Sequence, residues 1–526
     1  MPDESCRAFD FAEGLDVNAL NRFVVGADPA PRRMSPAEVR ALGDSFALSF
    51  FAKGKIPRSA EQVVDGIKAA ASKKSPLRTQ KSFILGEGSQ IPFSAATANV
   101  ERGLRFVVTL GEGRNGPDVF VSVFDPKQAG GIEVMAWDRK AKGFNYYRST
   151  GARAMWMLAG NSRDALRDSS RGKGPFESHP SGSLLMKELK SPWNNWHSPD
   201  ATIFASAFAA NDSRRQHDWF TKKEPGGALS FEEGEARPAI ERWGRARFAA
   251  FRDRGGTVTR PRHVMEQVLG TPNRRHATVN LITTHIESAA LRPTDVLDLP
   301  QTFFVDSECL TNILRLKAPP AFTVSGRIYA KCLAKFQVRI EDGSGFVGKG
   351  DTHFCFLVPE RSFEDQVALR HAIEIGLLSK RLASCLLMVD PWNPVFSDRR
   401  AALLRHVPAT AKIVKGRSSF SQEMVGAILT AAAAGPPGTP EAEFAQRWKA
   451  GPKFSTAFNK LLDGYYRAVT AKLKTQAGFE PYFKLAEARR HDFAQMPISE
   501  FALLLPKSNI KPASRRMLSD GRVGEA

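Results

Sequence analysis

The spacing of apolar residues changes along the chain, and each change marks a different kind of secondary structure. Near the amino terminus, Ser35-Pro36-Ala37-Glu38 combines an N-cap serine, a proline at the first helical position and a capping-box glutamate. Ser59 and Gln62 form a second such pair. These signals predict helices near 36–52 and 60–72.

The next block consists of short β-branched and aromatic runs, separated by turns rich in Gly, Asn, Pro and Lys. The runs are LRFVVTLG, PDVFVSVF, IEVMAWD and GFNYYRS, within residues 104–149. Runs of this length between such turns are typical of strands joined by hairpins. The pattern therefore predicts an antiparallel meander.

Strand-like and helix-like patterns are mixed in the middle of the chain. A loop-rich stretch over 160–235 is followed by helical patterns near 236–253 and in HVMEQVLG. Strands are predicted in TVNLITTHIES, QTFFVDS, FTVSGRIYAKCLAKFQVRI and DTHFCFLVP. Ser362 and Asp365 then indicate a capping box for one long helix, over about 363–388.

Helical periodicity dominates the carboxyl-terminal region after the linker candidate AAAAGPPGTP, residues 431–440. Because strands and helices come in blocks rather than in strict alternation, the pattern predicts an α+β fold. Four regions are expected: helices plus an antiparallel β-meander (1–160), a mixed α+β region holding the candidate site (161–430), a helical region (431–505) and a mobile basic tail (506–526).

Two glycine patterns, Gly111 to Gly116 and Gly343 to Gly348, match G-x-G-x-x-G. A dinucleotide-binding turn leads from a strand into a helix, whereas both of these lie between two predicted strands. We therefore interpret them as hairpin turns. The sequence contains no P-loop, H-E-x-x-H or G-x-S-x-G motif.

The charge of the chain points to anionic partners. The formal net charge is +20, which attracts nucleic acid, acidic surfaces or small anionic substrates. The densest basic stretch is 236–263, where Arg242, Arg245 and Arg252 would share one side of a helix. This stretch is a candidate nucleic-acid contact, and the alternative is the solvated face of an amphipathic helix.

Apolar runs and cysteines limit the class of protein. No apolar run is long enough to cross a bilayer, and the acidic start carries no hydrophobic run, so we expect a cytoplasmic protein. The five cysteines are widely spaced and form no C-x-x-C pair. This pattern argues against thiolate zinc ribbons and covalent haem attachment, and favours reduced, buried thiols.

The segment from Gly174 to Phe220 concentrates side chains suited to chemistry, with three of the ten histidines and three of the eight tryptophans. His179 lies where a C-x-x-C-H haem motif would place its histidine, but without the cysteines. A noncovalent haem on His179, with Met186 or His197 opposite, is one interpretation. The other is a histidine that hydrogen-bonds a loop backbone.

Trp193 and Trp196 lie in the same segment, in the run Trp-Asn-Asn-Trp-His. Rings that give contact area and amides that give orientation suit the wall of a binding site. The alternative is that both indoles anchor a loop onto the core.

A second set of residues lies on predicted strands. His285 and Glu287 are two apart, so their side chains share one face of a strand, and His353 lies beside Asp351 on another. Arg361 follows. This order resembles that of oxoglutarate-dependent non-haem iron oxygenases, in which two histidines and a carboxylate hold Fe(II) and an arginine clamps the oxo acid. Paired polar groups at strand edges are the alternative.

These residues favour a metal- or haem-dependent enzyme, an oxidoreductase of a small anionic or aromatic molecule, with iron or haem as cofactor. The candidate catalytic residues are His179, His197, Glu188, Asp351 and His353. The candidate substrate-binding residues are Trp193, Trp196, Lys187 and Arg361. The candidate metal ligands are His179, His197, His285, Glu287 and His353. The competing hypothesis is a noncatalytic protein that binds nucleic acid or another polyanion through 236–263 and the basic tail.

Overall fold

The computed structural model describes residues 15–85, 95, 105–184, 210–221, 225–253, 255–284, 291–341, 345, 347–349, 355–496 and 506–525. These residues form two compact units. Unit 1 contains the described residues up to Ala246 together with Gly345, and unit 2 contains those from Arg247 onward apart from Gly345. The expected boundaries at 160 and 430 fall at the end of a strand and inside a helix, and the compact units follow neither.

Unit 1 is built on an eight-stranded sheet. Its strands are β1 (Leu20–Arg22), β2 (Arg32–Arg33), β3 (Gln80–Leu85), β4 (Arg105–Leu110), β5 (Val119–Val123), β6 (Glu133–Asp138), β7 (Gly143–Thr150) and β8 (Met155–Asn161). The order across the sheet is β2-β1-β8-β7-β6-β5-β4-β3. Strands β3 to β8 pair antiparallel with their sequence neighbours, which confirms the predicted meander, while β1 lies parallel to β8.

Apolar side chains cover both faces of this sheet, which explains why its strands are nearly continuous apolar runs. Successive residues of a strand point to opposite faces, so Phe106 and Val108 lie in one core and Val107 in the other. The first core includes residues of α1 (Pro36–Ala41), α2 (Ser45–Ser49), α3 (Ala60–Ala70) and α4 (Asp218–Thr221). The second includes residues of α5 (Ala228–Phe231) and α6 (Arg237–Asp253).

Local signals in the sequence set the first helices. The Ser35 side chain accepts from the Glu38 backbone N–H, and the Glu38 side chain accepts from the Ser35 backbone N–H. Together these bonds form the predicted capping box. The expected helix over 36–52 is divided at Asp44, whose buried carboxylate accepts from the Ala47 backbone and begins α2. An N-cap aspartate starts a new helix because its side chain satisfies a backbone N–H that has no partner within the helix.

Unit 2 combines short strands with longer helices. Its strands are β9 (Thr257–Val258), β10 (Val279–Thr284), β11 (Val296–Leu299), β12 (Phe322–Ser325), β13 (Arg339–Glu341), β14 (Val347–Lys349), β15 (Cys355–Arg361), β16 (Ala411–Val414), β17 (Arg417–Ser418), β18 (Arg515–Met517) and β19 (Val523–Glu525). They form sheets of two or three strands.

The longest helices of unit 2, in the described part of the chain, lie toward the carboxyl terminus. They are α7 (Pro261–Leu269), α8 (Gln301–Phe304), α9 (Gly326–Lys335), α10 (Phe363–Glu374), α11 (Lys380–Leu387), α12 (Asp398–Ala402), α13 (Ser419–Ala434), α14 (Pro440–Trp448), α15 (Phe454–Leu473) and α16 (Gln476–Ala494). The predicted α+β class, with antiparallel strands in the first half and helices in the last, is confirmed. The linker candidate 431–440 joins α13 to α14 within unit 2.

Two predicted strands of unit 2 are partly helical. The first four residues of QTFFVDS form α8, where the backbone carbonyl oxygens of Phe303 and Phe304 accept from Arg489 and Tyr465. In the run from Phe322 to Ile340, Ser325 accepts from the Ile328 backbone and starts a helix in the middle of the predicted strand. Tertiary hydrogen bonds and a cap outweigh the β propensity of these apolar residues.

The long helix expected over 363–388 is two helices, α10 and α11. Ser362 makes no side-chain capping bond, and the Asp365 carboxylate, which would complete the capping box, accepts from Thr278 and Gln267. The chain turns at Gly376, whose φ is +79°. Ser379 then caps the second helix.

In the region 506–525, expected to be a mobile tail, residues 515–525 form a hairpin within unit 2. Strands β18 and β19 pair antiparallel. Met517 is buried and exchanges backbone hydrogen bonds with the Asn393 side chain, while the Tyr482 hydroxyl donates to the Gly521 carbonyl. Among the described residues, no helix is both long and apolar enough to cross a membrane.

The turn at Gly376 predicts a strong effect of Gly376→Ala on stability. An added Cβ would lie 1.9 Å from the Gly416 carbonyl oxygen, in a left-handed conformation that alanine disfavours. We expect the free energy of unfolding to fall by about 2 kcal/mol or more, measured by urea titration.

Gly451→Ala is the matched control, since Gly451 also has a positive φ, +58°, but its Cβ would meet nothing within 4 Å. Its expected cost is only the conformational one, about 1 kcal/mol. Equal losses for the two variants would show that the close approach to Gly416 is unimportant.

Candidate functional site

Most of the residues proposed from the sequence lie outside the described part of the chain. These are His197, Glu188, Asp351, His353, Trp193, Trp196, Lys187, His285 and Glu287. His179 and Arg361 are described, in unit 1 and unit 2 respectively. The proposed convergence of the histidines in one pocket therefore stays a prediction.

His179 follows the short helix Gly174–Glu177 in unit 1 and lies close to the sheet. Its Nδ1 atom is 2.9 Å from the Ser183 carbonyl oxygen, and its ring centre is 5.1 Å from that of Tyr146. The backbone contact matches the simpler of the two interpretations of this residue. Among the described residues, no group of His, Cys, Asp or Glu side chains is arranged to hold a metal ion.

Arg361 is buried in ion pairs of unit 2. Its guanidinium lies 2.6 Å from a carboxylate oxygen of Asp306 and 3.8 Å from one of Asp365, and it donates to the Gln267 carbonyl. Burial alone would lower the pKa of Arg361, but these carboxylates outweigh it and raise the pKa. The structure thus places this arginine against internal carboxylates, with only 7% of its side chain exposed.

A polar cavity of about 530 Å³ lies in unit 1 beside His217. The Nδ1 atom of His217 accepts from the Trp219 backbone N–H, and its Nε2 is 2.7 Å from a carboxylate oxygen of Glu61. With Nδ1 occupied as an acceptor, Nε2 carries the proton and donates to Glu61. Lys68, Lys81 and two further acidic residues, Asp65 and Asp218, also line the cavity.

A concentration of basic side chains occurs at one end of the unit 1 sheet. The β4–β5 turn and the β6–β7 turn lie at this same end, because alternate turns of an antiparallel meander do so. We call the following set the basic turn surface: Arg114, Arg139, Lys140, Lys142, Arg163 and Arg245, with Arg242 beneath them. Four carboxylates, those of Glu112, Asp118, Asp138 and Glu241, lie on the same turns and helix.

Glycines let the β4–β5 turn approach helix α6 closely. Gly111, Gly113 and Gly116 all have positive φ. A Cβ on Gly116 would lie 3.0 Å from the Pro238 side chain and 3.1 Å from the Ala239 backbone. The first G-x-G-x-x-G match is therefore a hairpin turn, as interpreted, and it brings this turn against the start of the most basic helix.

Hydrogen bonds then join this turn to α6. Arg242 donates to Asp118 at 2.7 Å, and Arg245 donates to Asn115 at 2.9 Å. The Arg242 guanidinium lies 4.1 Å from the ring centre of Trp137. Trp243, one residue along, is buried in the second core.

The β6–β7 turn is shaped by one buried carboxylate. Asp138 accepts from the backbone N–H groups of Lys140 and Ala141, and also from that of Gly43. This leaves Arg139, Lys140 and Lys142 exposed. Arg163, which follows β8, donates to the Ala141 carbonyl and so reaches the same turn.

Sequence reasoning identified the arginines of α6 but missed the basic residues of the two turns. Each turn carries only one to three cations, which is unremarkable by itself. The signal that could have found them is the order of the predicted hairpins, because the first and third turns of a meander lie at the same end of the sheet.

Comparisons with family models, curated proteins and solved structures find no match to this chain.

We expect the stability of the protein to depend on pH through Asp365, the buried carboxylic acid beside Arg361. Burial raises the pKa of Asp365 to about 7, against the opposing effect of Arg361, from an ordinary value of 3.8. The folded state therefore binds the Asp365 proton more tightly than the unfolded state does, so protonation of Asp365 stabilises the folded protein. This stabilisation is complete below pH 3.8 and is lost as the pH rises toward 7.

We therefore expect the wild-type free energy of unfolding to fall across this interval relative to that of Asp365→Asn, by at most about 1.4 kcal/mol per pH unit. Urea titrations at several pH values measure the difference. Parallel profiles for the two proteins would contradict the assignment.

Proposed function

We propose that this protein binds double-stranded nucleic acid, without strong sequence preference, through the basic turn surface. The observation that carries the proposal is the meeting of three separate basic segments at one end of one sheet. Helix α6 supplies Arg242 and Arg245, and the two turns supply Arg114, Arg139, Lys140 and Lys142. Phosphate contacts by Arg and Lys supply most of the affinity of nonspecific binding.

The side chains of this surface are suited to phosphates. Arg114, Arg139, Lys140 and Lys142 are exposed on turns, where Arg139 donates to Asp118 and Lys140 donates to the Arg40 carbonyl. Arg245 is 45% exposed at the side-chain level, although it is bonded to Asn115. The formal net charge of +20 adds long-range attraction for a polyanion.

The surface is less suited to reading single-stranded bases. Proteins that bind single strands usually stack the bases on exposed aromatic rings. Among the described residues next to these cations, Trp137 and Trp243 are buried, with 7% and 1% of their surface exposed. Since the described part of this surface offers cations and no accessible ring, it favours the duplex backbone, with dissociation constants of about 10⁻⁴ to 10⁻⁶ M at physiological salt.

The hypothesis of an iron- or haem-dependent oxidoreductase for a small anionic or aromatic substrate stays a prediction. Its metal ligands, apart from His179, lie outside the described residues. A visible absorption spectrum and metal analysis of the purified protein address it independently of nucleic-acid binding.

The proposal predicts that Arg114→Gln with Lys140→Gln weakens the binding of a fluorescently labelled, mixed-sequence duplex DNA. These two exposed cations lie on different turns of the surface. We expect about a tenfold loss of affinity at about 0.1 M salt. The slope of log affinity against log salt should shrink by about two, because each lost phosphate contact removes about 0.9. Fluorescence anisotropy measures both.

Lys127→Gln with Arg153→Gln is the matched control, because it removes one lysine and one arginine from the opposite end of the same sheet. Binding by this variant should equal that of the wild type. Equal losses in the two double variants would show a diffuse charge effect, and no binding by the wild type would end the proposal.

A further inference from the structure

A single carboxylate, that of Asp118, lies within the basic turn surface and is shared by two of its arginines. One oxygen accepts from Arg242 at 2.7 Å and the other from Arg139 at 2.6 Å. Asp118 follows the β4–β5 turn, Arg139 is on the β6–β7 turn and Arg242 is on α6. All three segments of the surface therefore meet at this side chain.

The two arginines are held differently. Arg242 is fixed between the Asp118 carboxylate and the face of Trp137, and only 14% of its side chain is exposed. The Arg139 side chain is 65% exposed, and among the described residues its guanidinium is bonded to Asp118 alone. Guanidinium has five N–H donors, so Arg139 can bond the carboxylate and still present donors to solvent.

We propose that Asp118 masks the basic turn surface: its carboxylate occupies Arg139 and Arg242 in the place that a nucleic-acid phosphate would take. This inference rests on the proposed function, and it assigns to Asp118 the role of an internal competitor that keeps nonspecific binding weak. A phosphate that approaches the remaining donors of Arg139 meets the repulsion of Asp118, and it must displace Asp118 to use the donor that this carboxylate occupies.

The competition has a physical basis in geometry as well as charge. A carboxylate oxygen and a nonbridging phosphate oxygen are both anionic acceptors of guanidinium N–H groups, so a phosphate would use the same kind of donor that Arg139 and Arg242 each give to one oxygen of Asp118. Asp118 is only 13% exposed, which limits screening of its charge by water and salt. Its effect on a bound phosphate is therefore larger than that of a fully exposed carboxylate.

The test is duplex DNA binding by Asp118→Asn in the full-length protein. The amide keeps the size and an acceptor oxygen for Arg242 but removes the negative charge. We expect affinity at about 0.1 M salt to rise about five- to tenfold, and the slope of log affinity against log salt to steepen by about one. Circular dichroism and thermal unfolding establish that the variant is folded.

Asp125→Asn is the matched control. It makes the same change of charge on the β5–β6 turn, at the opposite end of the sheet, where Asp125 accepts from the Lys127 backbone. Its affinity should equal that of the wild type. An equal gain in Asp125→Asn and Asp118→Asn would attribute the effect to net charge and overturn the masking role.

A second variant tests the same principle without changing Asp118. Asn115 lies on an exposed turn and accepts from Arg245, so Asn115→Asp places a new carboxylate against another arginine of the surface. We expect about a fivefold loss of affinity. This variant decides the question if Asp118→Asn does not fold.

The outcomes separate the two proposals. If the wild type binds duplex DNA, and neither Asp118→Asn nor Asn115→Asp differs from it, masking by carboxylates is wrong and the proposed function stands. If the wild type and Asp118→Asn both fail to bind at low salt, the proposed function itself is wrong.

Discussion

The antiparallel connection of the unit 1 sheet is the constraint on which the rest of the account depends. Strands β3 to β8 each pair with the next in sequence, so the chain reverses at every turn. Every second turn then lies at the same end of the sheet, and charges that are far apart in sequence accumulate there. Because apolar residues cover both faces, the turns at the ends are where polar chemistry is available.

Helix α6 is held at this end by a close approach at Gly116, by an ion pair and by a hydrogen bond. Gly116 permits close approach of the β4–β5 turn, and Asp118 and Asn115 bond two arginines of the helix. Burial lowers the pKa of Arg242, while Asp118 acts in the opposite direction. A buried guanidinium without such a carboxylate would be costly, so Asp118 both stabilises unit 1 and reduces the charge that a ligand meets.

The sequence predicted those parts of the fold that depend on local pattern. The meander, the Ser35 capping box and the hairpin role of Gly111 to Gly116 depend on residues close in sequence. Predictions were wrong where distant residues decide the conformation. The first four residues of QTFFVDS are helical, with Arg489 and Tyr465 bound to two of their carbonyls, and the expected long helix is broken where Gly376 meets Gly416. None of these three partners can be identified from the local pattern.

The candidate site was predicted only in part, for the same reason. The arginines of α6 form a dense stretch that composition reveals, whereas Arg114, Arg139 and Lys140 are ordinary turn residues until the strand order places them together. Asp118 could not be selected in advance, because its importance comes from two arginines that are 21 and 124 positions away. The histidine-based site stays a prediction, because most of its residues lie outside the described part of the chain.

Lysine acetylation with and without duplex DNA, followed by mass spectrometry, tests the central claim most directly. Lys140 and Lys142 lie on the basic turn surface, and Lys127 is an exposed lysine at the other end of the same sheet. The account predicts that DNA slows acetylation of Lys140 and Lys142 several-fold and leaves Lys127 unchanged. If DNA slows acetylation of Lys127 alone, or changes the acetylation rate of all three lysines by the same factor, the account is contradicted.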